Sequence, residues 1–242
     1  MLPYSLELLS DCLAGIHVPA EQFDPNGEWV SNYNMWNPAR GKSAKSERLG
    51  SLRIHRRPTP DGNIRLQLTQ ITNMAGANGS GKSKAGVTCK ADDLCTPIQW
   101  KIDSEVIDPK GEQVPLTAVS VSCKADKMKV TGRLSSNWSL FDAVQRLPFD
   151  SKTIEFTMLE ELELLRPEQR LSAGETAEVE LGAAGASIPI RRDGRMVKLH
   201  SFEQIGRGIL PITYWLDDQH RLIIAVGGRR AFLFDSAKGG TK

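Results

Sequence analysis

Gly76-Ala77-Asn78-Gly79-Ser80-Gly81-Lys82-Ser83, running on into Lys84-Ala85-Gly86-Val87-Thr88-Cys89-Lys90, is the stretch on which the fold turns. Its first part matches the phosphate-cradling pattern G-x-x-x-x-G-K-[ST]. That pattern works when glycines let backbone N–H groups close round phosphates, the lysine reaches the terminal phosphates, and the serine hydroxyl meets Mg²⁺ where a helix starts. Gly76, Gly81, Lys82 and Ser83 would then bind phosphate in a P-loop NTPase. The flanks argue otherwise. Before the match, Ile64 to Ile71 alternates apolar and polar residues. After it, Val87, Cys89 and Ala91 alternate with Thr88, Lys90 and Asp92, so a strand stands where a helix is needed. Gly76 to Ser83 reads as an exposed, mobile loop joining two antiparallel strands, and the NTPase is the third of three functional readings.

Period two continues outward in both directions. Leu52 and Ile54 form one apolar row. Ile98, Trp100, Ile102 and Val106 form another, Val119, Val121 and Cys123 a third, and Met128 and Val130 continue it. Pro58 to Asn63, Asp108 to Gly111 and Asp217 to His220 read as turns. Toward the C-terminus, short strands are expected over Glu178 to Leu181, Met196 to Phe202, Ile212 to Leu216, Arg221 to Val226 and Arg230 to Phe234. Two places break the pattern. Leu140, Phe141, Val144 and Leu147 fall at helical spacing after a Ser136 or Asn137 cap, and Leu2, Leu6, Leu9 and Leu13 predict an amphipathic helix over residues 1–20. Ile154 to Leu165 carries both periods and reads as a strand at its start. The fold class is therefore mainly β: a long antiparallel meander forming a strongly curved sheet or half-barrel. The N-terminal helix packs on one β domain spanning residues 21–236, and residues 237–242 form a flexible tail.

A chain of 242 residues with 40% hydrophobic and 25% charged residues is ordinary for a globular domain. A formal net charge of +2 gives no field that implies a nucleic-acid partner. No run of about 18 apolar residues exists for a membrane-spanning helix. Residues 1–20 lack a basic n-region and carry Glu7 and Asp11, which argues against a secretory signal, and Asp11 spoils the lipoprotein-like box ending at Cys12. Cys12, Cys89, Cys95 and Cys123 make no zinc-ligand spacing, so no metal or cofactor is expected. Cys89 and Cys123 stand in matching phrases, Cys89-Lys90-Ala91-Asp92 and Cys123-Lys124-Ala125-Asp126, and would pair as a disulfide if their strands are neighbours.

No histidine sits at a catalytic spacing, and the adjacent acids Asp92-Asp93, Glu160-Glu161 and Asp217-Asp218 would diverge on strands, so no catalytic residue is assigned. The aromatic residues carry the remaining signal. Trp29, Tyr33, Trp100, Trp138, Tyr214 and Trp215 either fill the inner face of the sheet or line a groove for an apolar ligand or a sugar.

The loop text is similar to that of ABC-type ATPases, with Leu171-Ser172-Ala173-Gly174-Glu175 loosely like their signature. The acid-terminated apolar run that family needs is missing, since Leu222 to Val226 ends in Gly227-Gly228. A second resemblance is of layout. The meander, the helix after Ser135-Ser136-Asn137-Trp138-Ser139-Leu140-Phe141, and the ending Leu210-Pro211-Ile212-Thr213-Tyr214-Trp215-Leu216-Asp217-Asp218 before Arg221-Leu222 resemble the half-barrels of bacterial envelope lipoprotein carriers and related secreted proteins. This resemblance covers residues 28–235. It implies a non-catalytic binding or carrier protein, periplasmic or secreted, that holds an apolar or amphipathic ligand on its concave face. The alternative is a carbohydrate-active enzyme or carbohydrate-binding module.

Overall fold

One turn is built three times. In the computed structural model, Thr59 N–H donates to Asn63 O (2.9 Å) and Gly62 N–H to Thr59 O (3.0 Å). Asp108 to Glu112 repeats this at 2.8 and 3.0 Å, and Asp217 to Arg221 at 3.0 and 2.9 Å. The fourth residue must enter the left-handed region, where glycine meets no Cβ penalty. Gly62 (φ 78°) and Gly111 (φ 87°) fill that place in two turns, and His220 (φ 60°) fills it in the third.

The structure describes residues 4–7, 9–13, 16, 18–38, 45–73, 79–92, 97–115, 117–126, 129–136, 148–150, 179–192, 195–206, 212–227 and 230–239. The chain divides into two compact units, Met1–Arg53 with Glu178–Lys242, and Ile54–Ala177. Strand β2 (Glu47–Pro58) has residues in both.

In the unit formed by the chain ends, β1 (Trp29–Asn37) pairs with β13 (Arg230–Gly239). The ladder continues through β12 (Leu222–Gly227), β11 (Ile212–Leu216), β10 (Arg195–Gly206) and β9 (Val179–Arg192). Every one of these pairings is antiparallel. Ile223 to Val226 and Ala231 to Phe234 are buried at every position, on both faces of their strands. A strand buried on both faces needs apolar cover on each side. Leu6, Leu9, Ile16, Val18 and Phe23 of the same unit are also buried. Among the described residues, the helix expected over residues 1–20 is present as one turn, α1 (Tyr4–Glu7). Beyond it the backbone closes mostly over three residues, Leu9 N–H to Leu6 O and Cys12 N–H to Leu9 O. Leucines three and four apart are thus buried by successive turns as well as by a helix.

In the unit Ile54–Ala177, β3 (Asn63–Asn73), β4 (Ser80–Lys90), β5 (Pro97–Ile107), β6 (Val119–Asp126), β7 (Lys129–Ser136) and β8 (Pro148–Asp150) form an antiparallel meander in chain order. Its inward rows are apolar. Leu66, Val87, Trp100 and Cys123 are cross-strand partners in one row, and Leu68, Ala85, Ile102 and Val121 in the next. Burying a Val, Leu or Ile side chain here contributes about 1.5–3 kcal/mol. The turns at 58–63, 108–111 and 217–220 stand where the sequence puts them. Two boundaries are corrected: β4 begins at Ser80, so Ser80 to Ser83 are strand and not loop, and β13 runs to Gly239, so residues 237–239 are strand and not tail. The expected helix at 138–147 and the ambiguous stretch 154–165 lie outside the described residues.

Candidate functional site

The phosphate-loop residues lie in a ladder. Gly81, Lys82 and Ser83 pair with Thr72, Ile71 and Gln70 on β3 and with Val106, Glu105 and Ser104 on β5. A strand paired on both sides has its backbone N–H groups engaged in the sheet and offers no helix N-terminus to an anion. The Ser83 side chain is buried, and its hydroxyl shares a hydrogen bond of 2.6 Å with that of Ser104. The NTPase reading is corrected accordingly. Gly76 lies outside the described residues.

The disulfide is also corrected. Cys89 is on β4 and Cys123 on β6, with β5 between them, so their strands are about 10 Å apart where a bridge needs Cα atoms about 4.4–6.8 Å apart. Both side chains are buried, and no disulfide joins them. Burial pushes the Cys123 thiol up to about 12.

Of the aromatic residues singled out, Trp29, Tyr33, Tyr214 and Trp215 belong to one unit and Trp100 to the other. Trp138 lies outside the described residues. Tyr33 is 2% exposed, donates to Leu222 O at 3.3 Å and meets Phe234 edge to face at 5.8 Å. Burial raises its phenol well above the usual range. Trp29 packs 5.7 Å from Phe23 and donates to Pro25 O at 3.2 Å. Trp215 and Trp100 are buried. Among the described residues no pair of exposed tryptophans forms a sugar-stacking platform, so the stacking argument for a carbohydrate module loses its residues.

What the burial leaves behind is chemically informative. Among the described residues, the indole N–H of Trp100 has no hydrogen-bond acceptor, although Trp100 is 1% exposed. It sits between Val87 and Cys123 in an apolar row. Farther along the same face, the Gln70 side chain is 1% exposed; its Nε2 donates to Thr72 Oγ1 at 3.2 Å, while its Oε1 has no donor among the described residues. Gln70, Ser83 and Ser104 are cross-strand partners, a polar row closing an apolar face. From Ser104 to Trp100 is four residues along β5, so the unmet acceptor and the unmet donor stand about 13 Å apart along the strands.

The opposite face of β3 to β5 carries a hollow of about 480 Å³. Lys101 Nζ lies 2.9 Å from Asp103 Oδ2 at its edge, and Ser120 donates to Asp103 Oδ1 at 2.6 Å. Partial burial works to raise the Asp103 carboxyl; the Ser120 hydroxyl, Lys101 and the nearby Lys84 outweigh it and hold the carboxyl below its ordinary range.

The sequence reading missed a buried arginine. Arg221 is 2% exposed, donates from Nη2 to Glu21 O at 2.8 Å and stacks 4.7 Å from the Phe23 ring centre. Asp217 Oδ1 accepts from the Gln219 and Arg221 backbone N–H groups at 2.9 Å each. Gln219 Oε1 accepts the Phe23 N–H, so the third turn grips residues 21–23. Nearby, His200 Nε2 and Asp218 Oδ1 lie 2.8 Å apart, both partly exposed. Among the described residues no three of His, Cys, Asp and Glu gather as metal ligands.

No known protein family matches the sequence, and no curated protein matches it either. Similar solved structures include two. One is a β-barrel-like protein of the domain of unknown function DUF1849 from Brucella abortus: 11% identity, 87% of this chain and 97% of that chain, TM-score 0.48. The other is a domain provisionally assigned to outer membrane lipoprotein sorting from Vibrio parahaemolyticus: 10% identity, 96% of this chain and 91% of that chain, TM-score 0.20. At such TM-scores they carry no argument about this chain's fold, activity or ligand.

Proposed function

We propose that the protein is a non-catalytic binding or carrier protein of the bacterial envelope whose strands curve as a half-barrel round an apolar or amphipathic ligand. The observation that supports this reading is the buried indole N–H of Trp100. A buried donor without an acceptor costs about 1–3 kcal/mol, and native proteins hold few of them. Here the donor is set among Leu66, Val87 and Cys123, beside a row of Leu68, Ala85, Ile102 and Val121. The surroundings suit an alkyl chain, and the N–H suits one carbonyl or carboxylate oxygen on it. The unmet oxygen of Gln70 suits a hydroxyl farther along the same ligand. Ligand pockets of this type are mostly apolar, with few polar groups fixing orientation.

Oleate is the simplest probe with that chemistry. Equilibrium binding should be saturable for the wild type and weakened at least tenfold by Trp100→Phe, which keeps an aromatic ring and removes the donor. Equal binding by the two, or none, would remove the reading.

A further inference from the structure

The outward residues of β3, β4 and β5 form a three-by-three grid with a glycine at its centre. On β3 they are Arg65, Gln67 and Thr69, and their partners on β4 are Thr88, Gly86 and Lys84. Those three in turn face Gln99, Lys101 and Asp103 on β5. Neighbours across the strands are about 4.8 Å apart and neighbours along a strand about 7 Å apart. The eight residues round Gly86 are all polar, and the missing side chain at the centre leaves the hollow of about 480 Å³.

Nothing in the fold requires that glycine. Gly86 does not adopt a left-handed φ, and a Cβ built on it would meet nothing within 4 Å. A glycine inside a strand is less favourable than alanine by about 0.5–1 kcal/mol, and it commonly marks a place where a ligand comes close to the backbone. The charges round it are unbalanced. Arg65, Lys84 and Lys101 face a single carboxylate, Asp103, which Lys101 already holds. Among the described residues, the Arg65 side chain has no hydrogen-bond or ion-pair partner. Its guanidinium presents donors in a fork that matches a carboxylate or phosphate, while Gln67, Gln99 and Thr88 can both donate to and accept from hydroxyl groups.

We propose that this hollow is a second binding site, on the face opposite Trp100, for a small hydroxyl-bearing molecule carrying one anionic group, with the ligand lying over Gly86. It is independent of the apolar ligand proposed above: the face and the chemistry differ, although Leu68, Ala85 and Trp100, whose side chains belong to the inward rows, also border the hollow.

The test titrates the full chain, followed by backbone amide resonances, with glucose 6-phosphate, glucuronate, glucose and inorganic phosphate. The proposal expects saturable shifts centred on Gly86, Thr88 and Lys101 for one or both anionic sugars, at least tenfold tighter than for glucose and tighter than for inorganic phosphate. Glucose 6-phosphate and glucuronate distinguish a phosphate from a carboxylate as the anionic group. Arg65→Gln should weaken the binding at least tenfold. Gly86→Val should abolish it with no loss in the urea midpoint, because the added side chain enters open space. Absence of saturable shifts with both sugars, equal binding of inorganic phosphate, or unchanged binding by Arg65→Gln would each overturn the site. A Gly86→Val chain that is destabilised would contradict the open space on which it rests.

Discussion

The hydroxyls of Ser83 and Ser104 meet at 2.6 Å on the inward face of neighbouring strands. In a phosphate loop the residue at Ser83's position would hold Mg²⁺ at a helix start; here its hydroxyl is turned into the sheet. The wild type and Lys82→Ala should therefore show the same negligible ATP binding in equilibrium dialysis. Saturable ATP binding that Lys82→Ala abolishes would reinstate the enzyme.

The glycines of the motif make a sharper contrast. A Cβ on Gly79 would come 2.7 Å from the backbone oxygen of Ile107, whereas one on Gly81 would meet nothing nearer than Thr72 O, at 3.8 Å. Gly79→Ala should lower stability by about 1–3 kcal/mol in urea denaturation, because backbone must move. Gly81→Ala should be neutral or slightly stabilising. A phosphate loop would demand the reverse at Gly81, the glycine its pattern fixes.

Much of the fold is legible because a meander writes itself locally. Each strand is an alternating run, each hairpin carries a turn signal, and Ile212 to Leu216 is bounded as the alternation predicts. Strand β4 was legible only from Val87 onward, since Gly81, Lys82 and Ser83 have no strand preference of their own and are held by eleven residue pairs with β3, from Asn63↔Lys90 to Asn73↔Ser80. The disulfide failed for a related reason: matching phrases at Cys89 and Cys123 say nothing of the strand between them. The proposed apolar site was half legible. Trp100 is visible as an aromatic in an apolar row, but its unmet N–H depends on what its neighbours do not offer. The hollow could have been found as a glycine flanked by Ala85 and Val87 in a strand, yet its ring of charges appears only once three strands are placed in register.

Arg221 joins residues far apart in sequence by stacking on Phe23 and bonding Glu21. Arg221→Ala should cost about 3 kcal/mol, because it removes a buried cation and leaves Asp217 buried beside the gap. Chemical denaturation reads the loss. Limited proteolysis should show faster cleavage within residues 20–29. Arg221→Lys, which keeps the charge and loses the planar fork, should recover only part of the stability.

A thiol held up at about 12 is protonated throughout the physiological range, and the thiolate is the reactive form. Native protein should thus leave Cys123 unalkylated by iodoacetamide at pH 8, with labelling only after denaturation. Mass spectrometry without reductant should find no Cys89–Cys123 peptide pair.

The central claim is that the inward face of β3 to β6 takes an amphipathic ligand whose oxygen meets the Trp100 indole N–H. The most direct measurement is the Trp100 indole N–H resonance, assigned by its loss in Trp100→Phe, during titration with oleate. The account predicts a saturable downfield shift of that signal, with accompanying methyl shifts at Val87 and Ile102. An indole signal that stays fixed while oleate is added to saturation would contradict it.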